Sequence, residues 1–262
     1  MVAVSGCGSS DAQVDPTSVH FGDTALVVVV NPTINDLNRH SVATPGAQRS
    51  GIVLRTDDGV SDTTGADGIA VLAPLAAGTR TVTVTGGGMS GTFSATLAAG
   101  ALHEVAIAEA GGQAQIMVDL DYKTDHVFEV MPAMTNAQVN DALKVSDRVV
   151  FVHGGTYAGD LDFSGSRVTL FGEGVLGGSV VLQGNMTMSG SDSRIRGTHI
   201  TGNLTIPASG TGVSFSRIDG AITAMGSDTT LLANALCGGA TVTGSGSIIV
   251  GNAGTAPTPT CP

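Results

Sequence analysis

Gly202-Asn203-Leu204-Thr205-Ile206 and Gly220-Ala221-Ile222-Thr223-Ala224 repeat one pattern, a glycine with apolar residues two and four places behind it. Three more pentapeptides align with them: Gly159-Asp160-Leu161-Asp162-Phe163, Gly178-Ser179-Val180-Val181-Leu182 and Gly239-Ala240-Thr241-Val242-Thr243. The five glycines step by 19, 24, 18 and 19 residues. A second series of strand-like runs keeps the same phase: Arg167–Phe171, Arg194–Gly197, Val213–Ser216, Thr230–Ala233 and Ser247–Val250. Two in-phase series at one period mark a solenoid. A coil of roughly 18–24 residues holds two or three short strands, and it buries its inward side chains only when neighbours stack above and below. The reading is therefore a parallel β-helix with glycine at its corners. Leu161/Phe163, Val180/Leu182 and Leu204/Ile206 should point inward as aliphatic ladders, since alternate residues of a strand share a face. The 24-residue step predicts an extra turn at Met186–Asp192.

Working outward, Thr135/Asn136 can N-cap a short helix to about Leu143, with Val139, Ala142 and Leu143 on one face. Such a helix would cover the exposed first coil and its strand edges. The run Asp141-Ala142-Leu143, Ser146-Asp147-Arg148-Val149-Val150-Phe151-Val152, Gly154-Gly155-Thr156-Tyr157-Ala158-Gly159-Asp160-Leu161 and Val168-Thr169-Leu170-Phe171-Gly172-Glu173-Gly174 resembles the opening of pectate-lyase-like β-helices. That resemblance covers about 110 residues, and it implies a right-handed parallel β-helix behind a capping helix. It implies fold and not activity.

The N-terminal half alternates strand-like runs with turn signals: Ala25–Val30, Gly51–Arg55, Ile69–Leu72, Thr79–Thr85, Thr92–Leu97, Leu102–Ile107 and Gln115–Tyr122. These spacings suit a β-sandwich. The segment from Asp57-Asp58-Gly59 through Asp67-Gly68-Ile69, with Leu75–Val84 behind it, resembles carboxypeptidase-regulatory-like or invasin-type sandwich modules, which implies a spacer or adhesion role. Asp57, Asp58, Asp62 and Asp67 invite a Ca²⁺ reading, but their spacing is not that of a calcium loop, and Asp-Gly pairs are good hairpin turns. Turn chemistry is the expectation. In the last strand Asp119 and Asp121 should face solvent or a neighbouring edge.

Composition agrees with an all-β chain. There are 38 Gly, no Trp, 3% aromatic and 13% charged residues. The charged share is about half that of an ordinary domain, and Gly with β-branched residues suits short strands and tight turns. The net charge of −11, with only 11 Lys and Arg, excludes nucleic acid as a partner, because phosphate affinity comes from clustered cations. No apolar run approaches the roughly 18 residues of a membrane-spanning helix.

Val4-Ser5-Gly6-Cys7-Gly8-Ser9-Ser10-Asp11 resembles a bacterial lipobox, which implies a lipid on Cys7 followed by a flexible tether. Six residues precede Cys7, fewer than a signal peptide needs, so the alternatives are a native start upstream of Met1 and an ordinary tail. With Cys7 lipidated, Cys237 and Cys261 remain as a pair in a compartment that permits disulfides; two thiols are the alternative.

The charged residues of the coils include Asp160, Asp162 and Asp192. Arg194, Arg196, His199, Arg217 and Asp219 sit at similar phase and could share an outward patch, as a salt-bridged face or as a contact for a ligand or glycan. Sugar hydrolysis wants two carboxylates across a cleft, and none can be placed. The Asn-Thr-Asp, Gly-x-Asp-Asp and Gly-His-Gly signatures of polygalacturonase-like enzymes are absent, and Tyr122 and Tyr157 are the only tyrosines. His153 reads as a turn residue without metal-ligand companions. No catalytic residue, metal or cofactor is assigned.

The expected organisation is lipobox and tether over 1–20, sandwich over 21–122, linker and capping helix over 123–148, β-helix over 149–252 and a Pro-rich tail over 253–262. The expected function is an exported, outer-membrane-anchored envelope lipoprotein that binds a protein or glycan partner or plays a structural part. It meets membrane only through its N-terminal lipid. A lyase or hydrolase of acidic polysaccharide is the alternative.

Overall fold

The computed structural model describes residues 19–31, 49–122, 125–173, 179–250 and 252. Eight strands come first: β1 (Ala25–Asn31), β2 (Val53–Thr56), β3 (Ser61–Thr63), β4 (Ile69–Leu72), β5 (Gly78–Gly86), β6 (Met89–Leu97), β7 (Leu102–Ala110) and β8 (Gln113–Tyr122). They run in the order β3-β2-β5-β6-β8-β7-β1-β4. The β6–β8 link is a single pair, Ser90 with Gln113. The sheet therefore divides into two four-stranded leaves facing across a core of Leu26, Val28, Leu54, Leu72, Val82, Val84, Phe93 and Ile107. This is the expected sandwich. On the opposite side the leaves are tied by a side chain, because the buried Asp62 carboxylate accepts the Val71 N–H at 2.7 Å.

The inner leaf, β8-β7-β1-β4, is covered on both faces. Ala25, Val27, Val29, Val71, Ala106, Val118 and Leu120 leave the sandwich core and pack against the β-helix, joining Val149, Phe171, Phe215, Leu232 and Val250 in one apolar cluster. This accounts for the unbroken Ala25–Val30 run, since a strand buried on both sides has no polar face to alternate with. In β6, with one face in water, buried and exposed residues do alternate along most of the strand.

The second half is the parallel β-helix. β9 (Val127–Val130) and α1 (Asn136–Leu143) precede three strands of the first full coil, β10 (Val149–Val152), β11 (Gly155–Ala158) and β12 (Leu161–Phe163). Four more coils follow: β13 (Thr169–Gly172), β14 (Val180–Gln183), β15 (Met186–Met188); β16 (Arg194–Arg196), β17 (His199–Ile200), β18 (Leu204–Ile206); β19 (Gly212–Ser214), β20 (Arg217–Ile218), β21 (Ile222–Ala224); β22 (Thr230–Leu232), β23 (Ala235–Leu236), β24 (Ala240–Val242). β25 (Ile248–Val250) ends the series. Every third strand stacks in parallel: sheet I is β9-β10-β13-β16-β19-β22-β25, sheet II β11-β14-β17-β20-β23 and sheet III β12-β15-β18-β21-β24. Inward ladders of Val150, Leu170, Ile195, Val213 and Leu231, of Tyr157, Leu182, Ile200, Ile218 and Leu236, and of Phe163, Met188, Ile206 and Ala224 fill the interior.

The helix has the anticipated ends. Thr135 is its N-cap, with a capping box to Gln138, and Val139, Ala142 and Leu143 are buried on the first coil. Two expectations are corrected. The stretch 123–148 is more than linker and cap, because β9 pairs with β10 from Val127 to Val130 and so opens sheet I. Met186–Asp192 is not an extra turn, because Met186–Met188 is β15 with both methionines buried. Phe171 faces Arg196, 25 residues on, whereas Val181 faces His199, 18 on, so the seven extra residues fall between β13 and β14. The pentapeptide at Gly178 was thus aligned one sheet out of phase: β14 stacks on β11, not on β12.

Corners are made by two devices. Gly184, Gly202, Gly220 and Gly238 each sit where a Cβ would overlap the backbone of the glycine one coil back, beginning from Gly159. At the next residue of that same corner polar side chains stack coil on coil: Asn185 Oδ1 accepts the Asn203 N–H at 3.0 Å and Asn203 Oδ1 the Ala221 N–H at 2.9 Å. Inside, Asn234 Oδ1 accepts the Ser216 N–H and Asn252 Oδ1 the Asn234 N–H. Corner backbone that no sheet satisfies is satisfied this way.

Candidate functional site

The five charged residues expected to share a patch divide between two sheets. His199, Arg217 and Asp219 come together on the outer face of sheet II: Asp219 Oδ2 lies 2.7 Å from His199 Nε2 and Oδ1 2.7 Å from Arg217 Nε. Burial pushes the Asp219 carboxyl up, but the hydrogen bonds from His199 and Arg217 outweigh it and hold the group below the usual range. Asp219 thus bridges His199 and Arg217.

Arg196 is elsewhere. It projects from β16 into the junction with the sandwich, where its Nε meets Glu104 Oε1 at 2.6 Å, and both side chains are at most 1% exposed. Its guanidinium lies 4.7 Å from the centre of the Phe171 ring and 5.4 Å from that of Phe215. Beside it the Tyr122 hydroxyl meets Ser214 Oγ at 2.6 Å. Desolvation drives the Tyr122 hydroxyl well above its ordinary value, and the Glu104 carboxylate adds to that push. Glu104 escaped sequence reasoning although a signal existed: it is the one carboxylate in the apolar run Leu102–Ala108.

Arg194, two residues before Arg196, lines an open groove. It hydrogen-bonds the Gly210 carbonyl, and also Ser193 O at 3.2 Å. The groove lies between β8 and the corner leading into sheet I. One part, about 470 Å³, touches six consecutive residues of β8, Gln115–Leu120. A second part, about 560 Å³, shares Asp119, Asp192 and Arg194 with it and reaches Asp121, Asp125 and Asp147. The corner wall is a column of left-handed residues: Asp147 (φ 57°), Arg167 (55°), Asp192 (57°), Gly210 (70°), Asp228 (56°) and Gly246 (72°). Glycine follows aspartate because a Cβ at Gly210 or Gly246 would strike the carboxylate of Asp192 or Asp228 one coil back. Where two side chains do stack they are opposite charges, Arg167 Nε on Asp147 Oδ1 at 2.5 Å. On the other side of the groove, His103 of β7 reaches the β8 carboxylates, its Nδ1 3.0 Å from Asp119 and its Nε2 3.5 Å from Asp121.

The remaining candidates have local partners. Asp67 accepts the Ile69 N–H at 3.0 Å, and Asp58 takes the Thr56 hydroxyl, which lowers its pKa. Turn and seam hydrogen bonds engage these carboxylates within that loop. Asp160 Oδ1 accepts the Asn185 N–H and Ser189 Oγ faces Asp162 Oδ1, so both belong to the coil stacking. His153 stands between Glu129 and Glu173, 3.4 and 3.7 Å away. Among the described residues no three His, Cys, Asp or Glu side chains are grouped to hold a metal ion, and no helix is long and apolar enough to cross a membrane. Cys237 is disulfide-bonded; Cys7 and Cys261 lie outside the described residues. The chain matches no family model, no curated protein and no solved structure, so its site is read from its own geometry.

Proposed function

We propose that the protein is an envelope lipoprotein that works as a rigid, non-catalytic binding module, tethered through Cys7 and engaging a protein or glycan of the cell surface or periplasm. The observation that carries this reading is how the charges of the coils are used. Arg196 is committed to Glu104 in the junction, and His199 and Arg217 are committed to Asp219. These pairings tie the charged side chains of the coils into the scaffold, and that use of them supports a binding or structural role. The apolar cluster spanning both halves supports the same view, since it fixes the sandwich and the β-helix into one body. The lipobox-like Val4–Cys7 and the Gly/Ser stretch behind it support the tether.

The competing reading is a lyase or hydrolase of acidic polysaccharide. Incubating the purified full chain with pectin, alginate and related uronic-acid polymers, with and without Ca²⁺, separates the two. The expected result is salt-sensitive retention at most, with no unsaturated product and no new reducing ends. Turnover that disappears in Arg194→Ala or Asp219→Asn would overturn the proposal in favour of an enzyme.

A further inference from the structure

Among the described residues the outer edge of β8 is open. Along its other side the strand pairs with β7 from Gln113 to Tyr122. On the outer side it meets β6 only at Gln113, and from Ala114 to Tyr122 no strand among the described residues pairs with that edge. The groove beside it touches consecutive residues, Gln115–Leu120, so it runs against the strand's edge and not against one face. An open edge within a groove offers a ladder of unsatisfied N–H and C=O groups to an extended chain. Alternate side chains of an added strand would point toward the corner column, where Gly210 and Gly246 leave room between carboxylates.

Charge selects the occupant. The two connected parts of the groove hold six carboxylates, Asp119, Asp121, Asp125, Asp147, Asp192 and Asp228, against three arginines, Arg148, Arg167 and Arg194. A second copy of this chain, net −11, would bring acid to acid. Carboxylates beside an open edge exclude self-pairing while admitting a strand that carries Lys or Arg. We propose that the groove binds an extended, basic peptide segment of a protein partner by strand addition to β8. The inference rests on the reading of the protein as a binding module and names the partner's chemistry.

The test uses the full chain and a fluorescent peptide of about ten residues alternating Lys with Val or Thr, long enough to span the strand. Three controls accompany it: the same peptide N-methylated at alternate amides, its Glu-for-Lys counterpart, and the variant Asp119→Asn/Asp192→Asn/Asp228→Asn. Anisotropy should show saturable binding of the basic peptide, weakened about tenfold or more in the triple variant and by methylation. Hydrogen exchange should show new protection over Ala114–Tyr122 in the complex. Equal binding of the methylated peptide would reduce the site to an acidic surface and overturn strand addition. Equal binding of the Glu peptide, absence of binding, or a concentration-dependent dimer protected over the same segment would also overturn it. A glycan bound without turnover while the peptide fails would sink this inference alone; polysaccharide turnover would sink the binding-module reading itself.

Discussion

Glu104 on β7 and Arg196 on β16 form an ion pair at 2.6 Å although 92 residues separate them, and it is sealed between the sandwich and the β-helix. Glu104 Oε2 and Arg196 Nη2 have no hydrogen-bond partner, so the pair is only partly satisfied. Desolvating two charges is costly, and the Phe171 and Phe215 rings against the guanidinium offset part of that cost.

This arrangement predicts an asymmetric response to mutation. Glu104→Ala or Arg196→Ala leaves one buried charge alone and should destabilise by about 3–5 kcal/mol. Glu104→Leu with Arg196→Met removes both charges at similar volume and should recover most of the loss. Urea unfolding of the two single variants and the double variant reads this directly. A double replacement as unstable as either single one would show that the pair, and not its desolvation, holds the junction.

Tyr122 supplies a second readout of the same junction. Its hydroxyl is raised by burial and by Glu104, and Tyr157, hydrogen-bonded to Val130 O, is raised by burial and by Glu173. In the unfolded chain both ionise near pH 10, whereas folded they stay protonated to higher pH. The unfolded state then binds fewer protons, so stability falls as pH rises above about 10 and is unaffected below it. With two tyrosines and no tryptophan the spectrum is clean. Tyrosinate absorbance should appear together with loss of the β-sheet dichroism; early, separate ionisation of both rings would contradict their burial.

The solenoid was legible in the sequence because each coil must repeat the spacing of the one beneath it, and glycine marks where backbones touch. The true stack is Gly159, Gly184, Gly202, Gly220 and Gly238. The doublets Gly177-Gly178 and Gly238-Gly239 offered competing phases, and the seven-residue insertion before β14 moved the error into the second coil. The capping helix was legible because Thr135, Gln138 and the face of Val139, Ala142 and Leu143 are local signals. The docking of the halves was not, because Glu104 meets Arg196 only through a tertiary contact. The doubly buried run Ala25–Val30 and the lone carboxylate Glu104 within the apolar run Leu102–Ala108 were its traces.

A second glycine column gives a sharp test of coil nesting. A Cβ at Gly226 would overlap the Ala208 carbonyl, and one at Gly244 the Gly226 carbonyl. Gly226→Ala should therefore cost about 2–3 kcal/mol, as overpacking against backbone does. Gly239→Ala meets nothing within 4 Å and should cost about 1 kcal/mol, from its φ of +79° alone. Thermal melts that rank the two the other way would mean that these corners do not nest as described.

The proposed lipid tether is tested apart from the fold. If Cys7 carries the lipid, full-length protein made from its own start should partition into detergent, and Cys7→Ser should move it to the aqueous phase with its melting temperature unchanged. Unchanged partitioning of that variant would remove the tether from the functional reading.

The outer face of sheet II makes the smallest effect, and its pH dependence identifies it. Asp219 has a lowered pKa, so its pairing with His199 and Arg217 contributes stability above the unfolded carboxyl value near 4 and loses it as pH falls through the lower folded value. Because Asp219 is 32% exposed, solvent screening limits the contribution to about 0.5–1 kcal/mol. Asp219→Asn should therefore be less stable than the parent by that amount at neutral pH, more nearly equal in 1 M salt, and equal once the parent carboxyl is protonated in acid. A difference that persists unchanged into strong acid would assign the loss to packing on sheet II and not to the charge. A loss of several kcal/mol at neutral pH would mean that the cluster anchors the coils, and the small magnitude argued from its exposure would be wrong.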